Sequence, residues 1–149
     1  MVLGSQARPH PRRGLRAVTN REAGEVLVRE AHRIFDRDLR AAWEDRDYNL
    51  VVRRAQEAVE LALKGALRIL GVDFPKVHDV GPIFVREARR KGGVSSEEEL
   101  AEVQRISAWL AEARAPAFYL ERPYGEDDAR TACDGARFVL DVVTRVVGG

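Results

Sequence analysis

Apolar and polar residues recur with a helical period along most of this 149-residue chain. From Arg21 to about Asp45, the positions Leu27, Ala31, Ile34, Phe35, Leu39 and Ala42 return at helical spacing and predict a first amphipathic helix. Asp45-Arg46-Asp47 interrupts it, and Asp47 suits the N-cap of a second helix that ends at Gly71, with Pro75 soon after. A third helix is expected from His78 or Asp79 to Gly92-Gly93, with Pro82 in its first turn. Ser95 and Ser96 each precede a glutamate by three residues, a capping-box pattern. They open a fourth helix to about Ala113, with Leu100, Val103, Ile106, Trp109 and Leu110 facing inward. Arg114–Gly125, with two prolines, reads as irregular. A fifth helix follows from near Glu126 to Val147. Its apolar line is Ala129, Ala132, Cys133, Ala136, Leu140, Val143 and Val147, and its polar line is Arg130, Asp134, Arg137, Asp141 and Arg145. The valines near its end fit a strand as well, but the two stripes keep a period near 3.6 rather than 2. Five helices with short connections predict an all-α fold, an up-and-down bundle of four to five helices.

The second helix carries the most informative pattern. Between Leu50 and Leu70 most positions are apolar or small. One narrow polar line runs through Asn49, Arg53, Gln56, Glu60 and Lys64, in steps that put all five on one face. That line is either an ordinary solvated face or the wall of a site.

Composition narrows the class. Hydrophobic residues make up 45% and charged residues 33%, a folded rather than disordered balance, and the net charge of +1 gives no global attraction to nucleic acid or membrane. Charge is uneven, because residues 1–21 hold five arginines (Arg8, Arg12, Arg13, Arg16 and Arg21) and no acid. Residues 1–20 are read as a flexible basic arm and 21–149 as the helical domain. The single cysteine excludes an internal disulfide and fits a reducing, cytoplasmic setting. No run approaches the roughly 18 apolar residues of a membrane span, so no membrane partner is expected.

Candidate chemistry is sparse. His10, His32 and His78 lie at no ligand spacing from one another or from Cys133, so neither a metal nor any other cofactor is expected. Cys133 falls on an apolar line, where a buried thiol is inert. Gly92-Gly93 lacks the Lys-Ser/Thr of a phosphate loop. Two clusters remain. One is the polar stripe of the second helix, with His78 nearby. The other is Arg114 to Tyr124, where arginine and tyrosine together can hold a phosphate and stack a base, or where Phe118 and Tyr119 simply plug the end of the bundle.

Several short motifs occur in a telling order: Asp47-Tyr48-Asn49, Ala55-Gln56 with Glu60-Leu61 and Leu63-Lys64, Gly71, His78-Asp79, then Arg114, Tyr119, Tyr124, Asp128-Ala129 and Ala136. In that order, over about residues 22–147, the chain resembles a HEPN (higher eukaryotes and prokaryotes nucleotide-binding) domain of the small stand-alone prokaryotic type. The resemblance implies a homodimer, a nucleotide or RNA ligand, and a minimal nucleotidyltransferase as partner in a toxin–antitoxin-like pair. The ribonuclease branch of that family uses an arginine followed, after four to six residues, by a histidine. Positions 119, 120 and 121 after Arg114 are Tyr119, Leu120 and Glu121, and His32 and His78 follow no arginine at that distance. Loss of a general acid/base costs about 10²–10⁴ in rate.

Three functions are therefore carried forward. The first is a noncatalytic module that binds a nucleotide or nucleic-acid phosphate through Asn49, Arg53, Gln56, Glu60, Arg114, Tyr119 and Tyr124. The second is a ribonuclease toxin with a non-standard set of Glu60, His78 and Arg114. The third is an antitoxin or scaffold that only grips protein. Trp43, Trp109, Phe118 and Tyr119, near helix ends, are the expected source of an exposed aromatic contact surface.

Overall fold

A computed structural model describes residues 19–148. The arginine-rich arm up to Arg16, and His10 within it, lie outside the described residues. Helix α1 comprises an α-helical part (Asn20–Arg33), a π-helical segment (Ile34–Leu39) and a short α-helical close (Arg40–Glu44). It is followed by α2 (Tyr48–Ile69), α3 (Gly81–Lys91), α4 (Glu97–Phe118) and α5 (Glu126–Gly148). Among the described residues there is no strand. No helix there is long and apolar enough to cross a membrane.

The helix ends follow from local chemistry. Thr19 and Glu22 form a capping box on α1, Asp47 accepts from Leu50 N–H at 3.2 Å at the start of α2, and Ser96 and Glu99 form the capping box of α4. Ser95, the other candidate cap, keeps a buried hydroxyl without a partner among the described residues. Gly71 ends α2 with φ of 75°, and Val72 N–H returns to the Leu67 carbonyl at 2.9 Å. Leu120 takes the same left-handed role after α4, with φ of 58° and Glu121 N–H on the Pro116 carbonyl at 3.0 Å. A leucine there carries a steric cost of about 1–2 kcal/mol that glycine avoids.

Helix α2 is the centre of the bundle and touches all four others. Its Val51, Val52, Ala55, Ala58, Ala62, Leu63, Ala66 and Leu67 are buried, together with Leu100, Val103 and Leu110 of α4 and Val139, Val142 and Val143 of α5. The long helices run up and down. The start of α1 meets the end of α2 at Gly24 and Gly65, Asn49 near the start of α2 reaches Ala117 near the end of α4, and Arg145 near the end of α5 pairs with Glu99 near the start of α4 at 2.9 Å. At the first crossing a Cβ on Gly24 would stand 2.5 Å from the Gly65 carbonyl oxygen, and one on Gly65 would stand 2.7 Å from that of Gly24. Two facing glycines let the backbones of α1 and α2 touch.

The structure corrects four expectations. The fourth helix does not stop near Ala113; it continues through Pro116 to Phe118, so the irregular stretch begins at Tyr119. Pro116 removes the N–H that would meet the Glu112 carbonyl, yet the winding continues past it, with Tyr119 N–H on the Ala115 carbonyl at 2.9 Å. The third helix begins at Gly81, not at His78 or Asp79. Asp79 instead accepts from Gly81 N–H at 2.9 Å and from the Ser107 hydroxyl at 2.7 Å, which fixes the entry to α3. The first helix is not uniformly α-helical. Cys133 is half-exposed rather than sealed in the core.

Candidate nucleotide-binding groove

The polar stripe of α2 runs beside one face of α4, and the strip between them is the candidate groove. Helical spacing puts Ser107, Ala111, Arg114 and Phe118 on one face of α4. The antiparallel run that sets Asn49 against Ala117 brings Arg114 level with Arg53 and Ser107 level with Glu60. The loop before α3 lies at the Glu60 end, where His78 Nδ1 is 3.0 Å from Glu60 Oε1.

The stripe divides in two. In its lower part, Gln56 Nε2 donates to Glu60 Oε1 at 2.7 Å, and Lys64 Nζ donates to Glu60 Oε2 at 2.7 Å. Gln56 is buried, and the Glu60 and Lys64 side chains are only 17% and 18% exposed. Burial pushes the Glu60 carboxyl up. The hydrogen bonds from Lys64 and Gln56, the Lys64 charge and the His78 contact outweigh it, and Glu60 ends below its ordinary value. Glu60 is therefore an ionised hydrogen-bond acceptor near neutral pH. The ring of Phe74 lies under both Lys64, at 5.7 Å, and Arg68, at 6.0 Å.

The upper part is built differently. Asn49 uses its whole amide on the protein. Its Nδ2 donates to the Ala117 carbonyl at 3.2 Å and the Arg122 carbonyl at 2.9 Å, and its Oδ1 accepts from Tyr124 N–H at 2.8 Å. It pins the turn after α4. Arg53 has no carboxylate partner among the described residues and lies over the Phe118 ring, 4.7 Å from its centroid. Arg114, one turn before Phe118, also lacks an ion pair among them. Tyr119 meets Phe118 edge to face at 4.9 Å. Phe118, Tyr119 and Leu120 are 53%, 68% and 74% exposed and form an apolar ridge beside the two arginines.

Of the residues named from sequence, Arg53, Arg114 and Tyr119 thus gather at the open end of the groove, and Gln56, Glu60 and His78 gather at the other. Asn49, its amide bonded to Ala117, Arg122 and Tyr124, supports the first group. Tyr124 stands apart: it is buried, its ring under Arg122 at 4.7 Å, in a hollow shared with Trp109 and Pro116. The alternative catalytic set is split, because Glu60 and His78 touch while Arg114 lies about two helical turns away along the groove, roughly 10 Å. Of the aromatic groups expected to be exposed, Trp43 and Trp109 are half-buried and Phe118 and Tyr119 are open. Phe118 and Tyr119 do not plug the end of the bundle, because both rings are exposed; the pairing of Phe118 with Arg53 needed the register of α2 against α4. Among the described residues no cluster of three or more histidine, cysteine or carboxylate side chains is arranged to hold a metal.

A family model for the HEPN domain matches residues 24–146. The chain belongs to the HEPN family. No curated protein and no solved structure matches it. The all-α bundle is the HEPN architecture, and the match spans α1 to the end of α5. Family membership supports a helical domain of the nucleotide-binding or ribonuclease-like kind. In this HEPN domain the residues after Arg114 continue α4 into the exposed Phe118–Leu120 ridge, and the histidine that meets the α2 stripe is His78, from the loop before α3.

Proposed function

We propose that this HEPN domain is a noncatalytic module that binds a nucleotide or the phosphates of a nucleic acid at the open end of the α2–α4 groove. One observation carries the reading: Arg53 and Arg114 are cations without carboxylate partners among the described residues, set beside exposed Phe118 and Tyr119. Guanidinium groups take phosphate oxygens in bidentate fashion, and exposed rings stack bases without strong sequence preference. Asn49 holds the turn that carries the ridge and does not itself contact the ligand. The reading includes a homodimer and a minimal nucleotidyltransferase as partner in a toxin–antitoxin-like pair. The Phe118–Leu120 ridge supports a protein contact that would close the groove over a bound nucleotide.

Calorimetry with ATP, GTP and a short single-stranded RNA tests the binding. Saturable heat with at least one of them, lost in Arg53→Gln/Arg114→Gln, is expected. No heat with any of them at millimolar ligand sinks the nucleotide reading. Sedimentation at micromolar concentration tests the dimer, and a monomer of 16.7 kDa counts against it.

A second reading rests on the Glu60–His78 contact. An ionised carboxylate that orients an exposed imidazole is the arrangement a general base needs. In that case purified protein cleaves RNA, and His78→Ala abolishes the cleavage without changing the melting temperature. Cleavage that survives the substitution belongs to a contaminant.

A further inference from the structure

A concave site lies between α1 and α5, lined by none of the α2–α4 candidate residues. It is a cavity of about 210 Å³. Phe35, Leu39 and Trp43 of α1 and Cys133 of α5 form its apolar lining, and Arg40, Arg130, Asp134 and Arg137 surround its mouth. Phe35 and Leu39 belong to the π-helical segment, and Trp43 comes one turn later. Two four-residue steps drift around an α-helix of 3.6 residues per turn. The wider π winding cancels that drift and keeps Phe35 and Trp43 in line.

The mouth is charged in a particular way. Arg137 lies over Phe35 and Arg130 over Trp43, each 5.3 Å from the ring centroid. Arg130 is satisfied by Glu126 at 2.6 Å. Arg40, Arg137 and Asp134 have no ion pair among the described residues, so two free guanidinium groups face one free carboxylate. The mouth has room for one net negative charge. The interior has no polar side chain other than the Cys133 thiol and excludes a charged group. A cavity of about 150 Å³ accepts a benzene ring, so this one accepts a ring with a short substituent.

We propose that this cavity binds a small aromatic carboxylate. Its ring sits among Phe35, Leu39, Trp43 and Cys133, and its carboxylate lies against Arg40 and Arg137. A nucleoside phosphate is too large for the cavity and too highly charged for a mouth that retains Asp134. The site is independent of the nucleotide reading, because it shares no side chain with the α2–α4 groove.

Cys133, the only cysteine of the chain, is a built-in reporter. The test follows its reaction with a neutral thiol reagent, using benzoate as probe and benzamide and inorganic phosphate as controls. At ten times its Kd, benzoate is expected to slow the reaction about tenfold, since only the empty site exposes the thiol. Benzamide and phosphate at the same concentration should leave the rate unchanged. The Arg40→Gln/Arg137→Gln protein should lose the protection while keeping its melting temperature. No slowing up to about 20 mM benzoate, well above a millimolar Kd, overturns the proposal. Equal slowing by benzamide or phosphate overturns it as well, and so does full protection in the folded double variant. If that variant does not fold, the three probes on the unaltered protein decide alone.

Discussion

The two sides of α2 have opposite tolerances. Towards α1, Gly65 faces Gly24 so closely that no side-chain atom fits between the backbones. Towards α4 and the loop before α3, the same helix presents five polar side chains. One of them, Arg53, bonds to no carboxylate among the described residues. The first side is fixed by packing and leaves no room for function. The second contains groups that the fold does not need, and such groups are where a ligand is expected to act. Within that second side the difference repeats: Gln56, Glu60 and Lys64 satisfy one another, Asn49 satisfies the turn after α4, and Arg53 remains open.

Substitutions along α2 should therefore rank by how much the fold depends on each position. Gly65→Ala should have the largest effect. Overpacking against a carbonyl outweighs the helix propensity that alanine gains, and a loss of about 2–4 kcal/mol in chemical denaturation is expected. A variant as stable as the parent would mean that the α1–α2 contact is looser than described. Asn49→Ala should come next. It strands Tyr124 N–H and two carbonyls, and about 2 kcal/mol should be lost. Faster hydrogen exchange confined to residues 119–125 would accompany it, and protection unchanged there would separate Asn49 from the turn.

The Glu60 cluster should be revealed by acid. Its carboxyl lies below 4.5, its ordinary value, in the folded state. The stabilisation it brings is thus complete above that pH and disappears as the pH falls through the lower, folded value. Melting temperatures of the parent and of Glu60→Gln should converge in that acid window and separate near neutrality. Curves that stay parallel would dismiss the cluster as a stabilising unit. Arg53→Gln should change stability least, by less than about 0.5 kcal/mol, as expected for a surface substitution. A large loss of stability would move Arg53 from the open group to the structural one.

The sequence made the helices and their faces legible, because a 3.6-residue period and caps such as Asp47 and Ser96 are local signals. Thr19 with Glu22 was an equally local signal that sharpens the first boundary. The extent of α4 was not legible, since proline usually ends a helix and only the bonds around Pro116 show that it does not do so here. The candidate site was half legible. The one-face arrangement of Asn49 to Lys64 follows from spacing alone. Which of those side chains are already satisfied depends on partners 18 to 75 residues away, such as His78 and Tyr124. The Gly24–Gly65 contact and the π-helical segment were silent for the same reason. A glycine within a helical pattern and a wide turn acquire meaning only when a second helix lies against them.

The π-helical segment Ile34–Leu39 is equivalent to one inserted residue in an otherwise α-helical α1. Removing a single residue there, for instance exposed Asp36, would let the backbone close into ordinary α-helical turns. Everything before it would then rotate by about 100° relative to everything after it. The body of α1 would have to choose between its glycine seam with α2 and the alignment of Trp43 with Phe35. The extra residue is what lets one helix hold two unrelated registers at once.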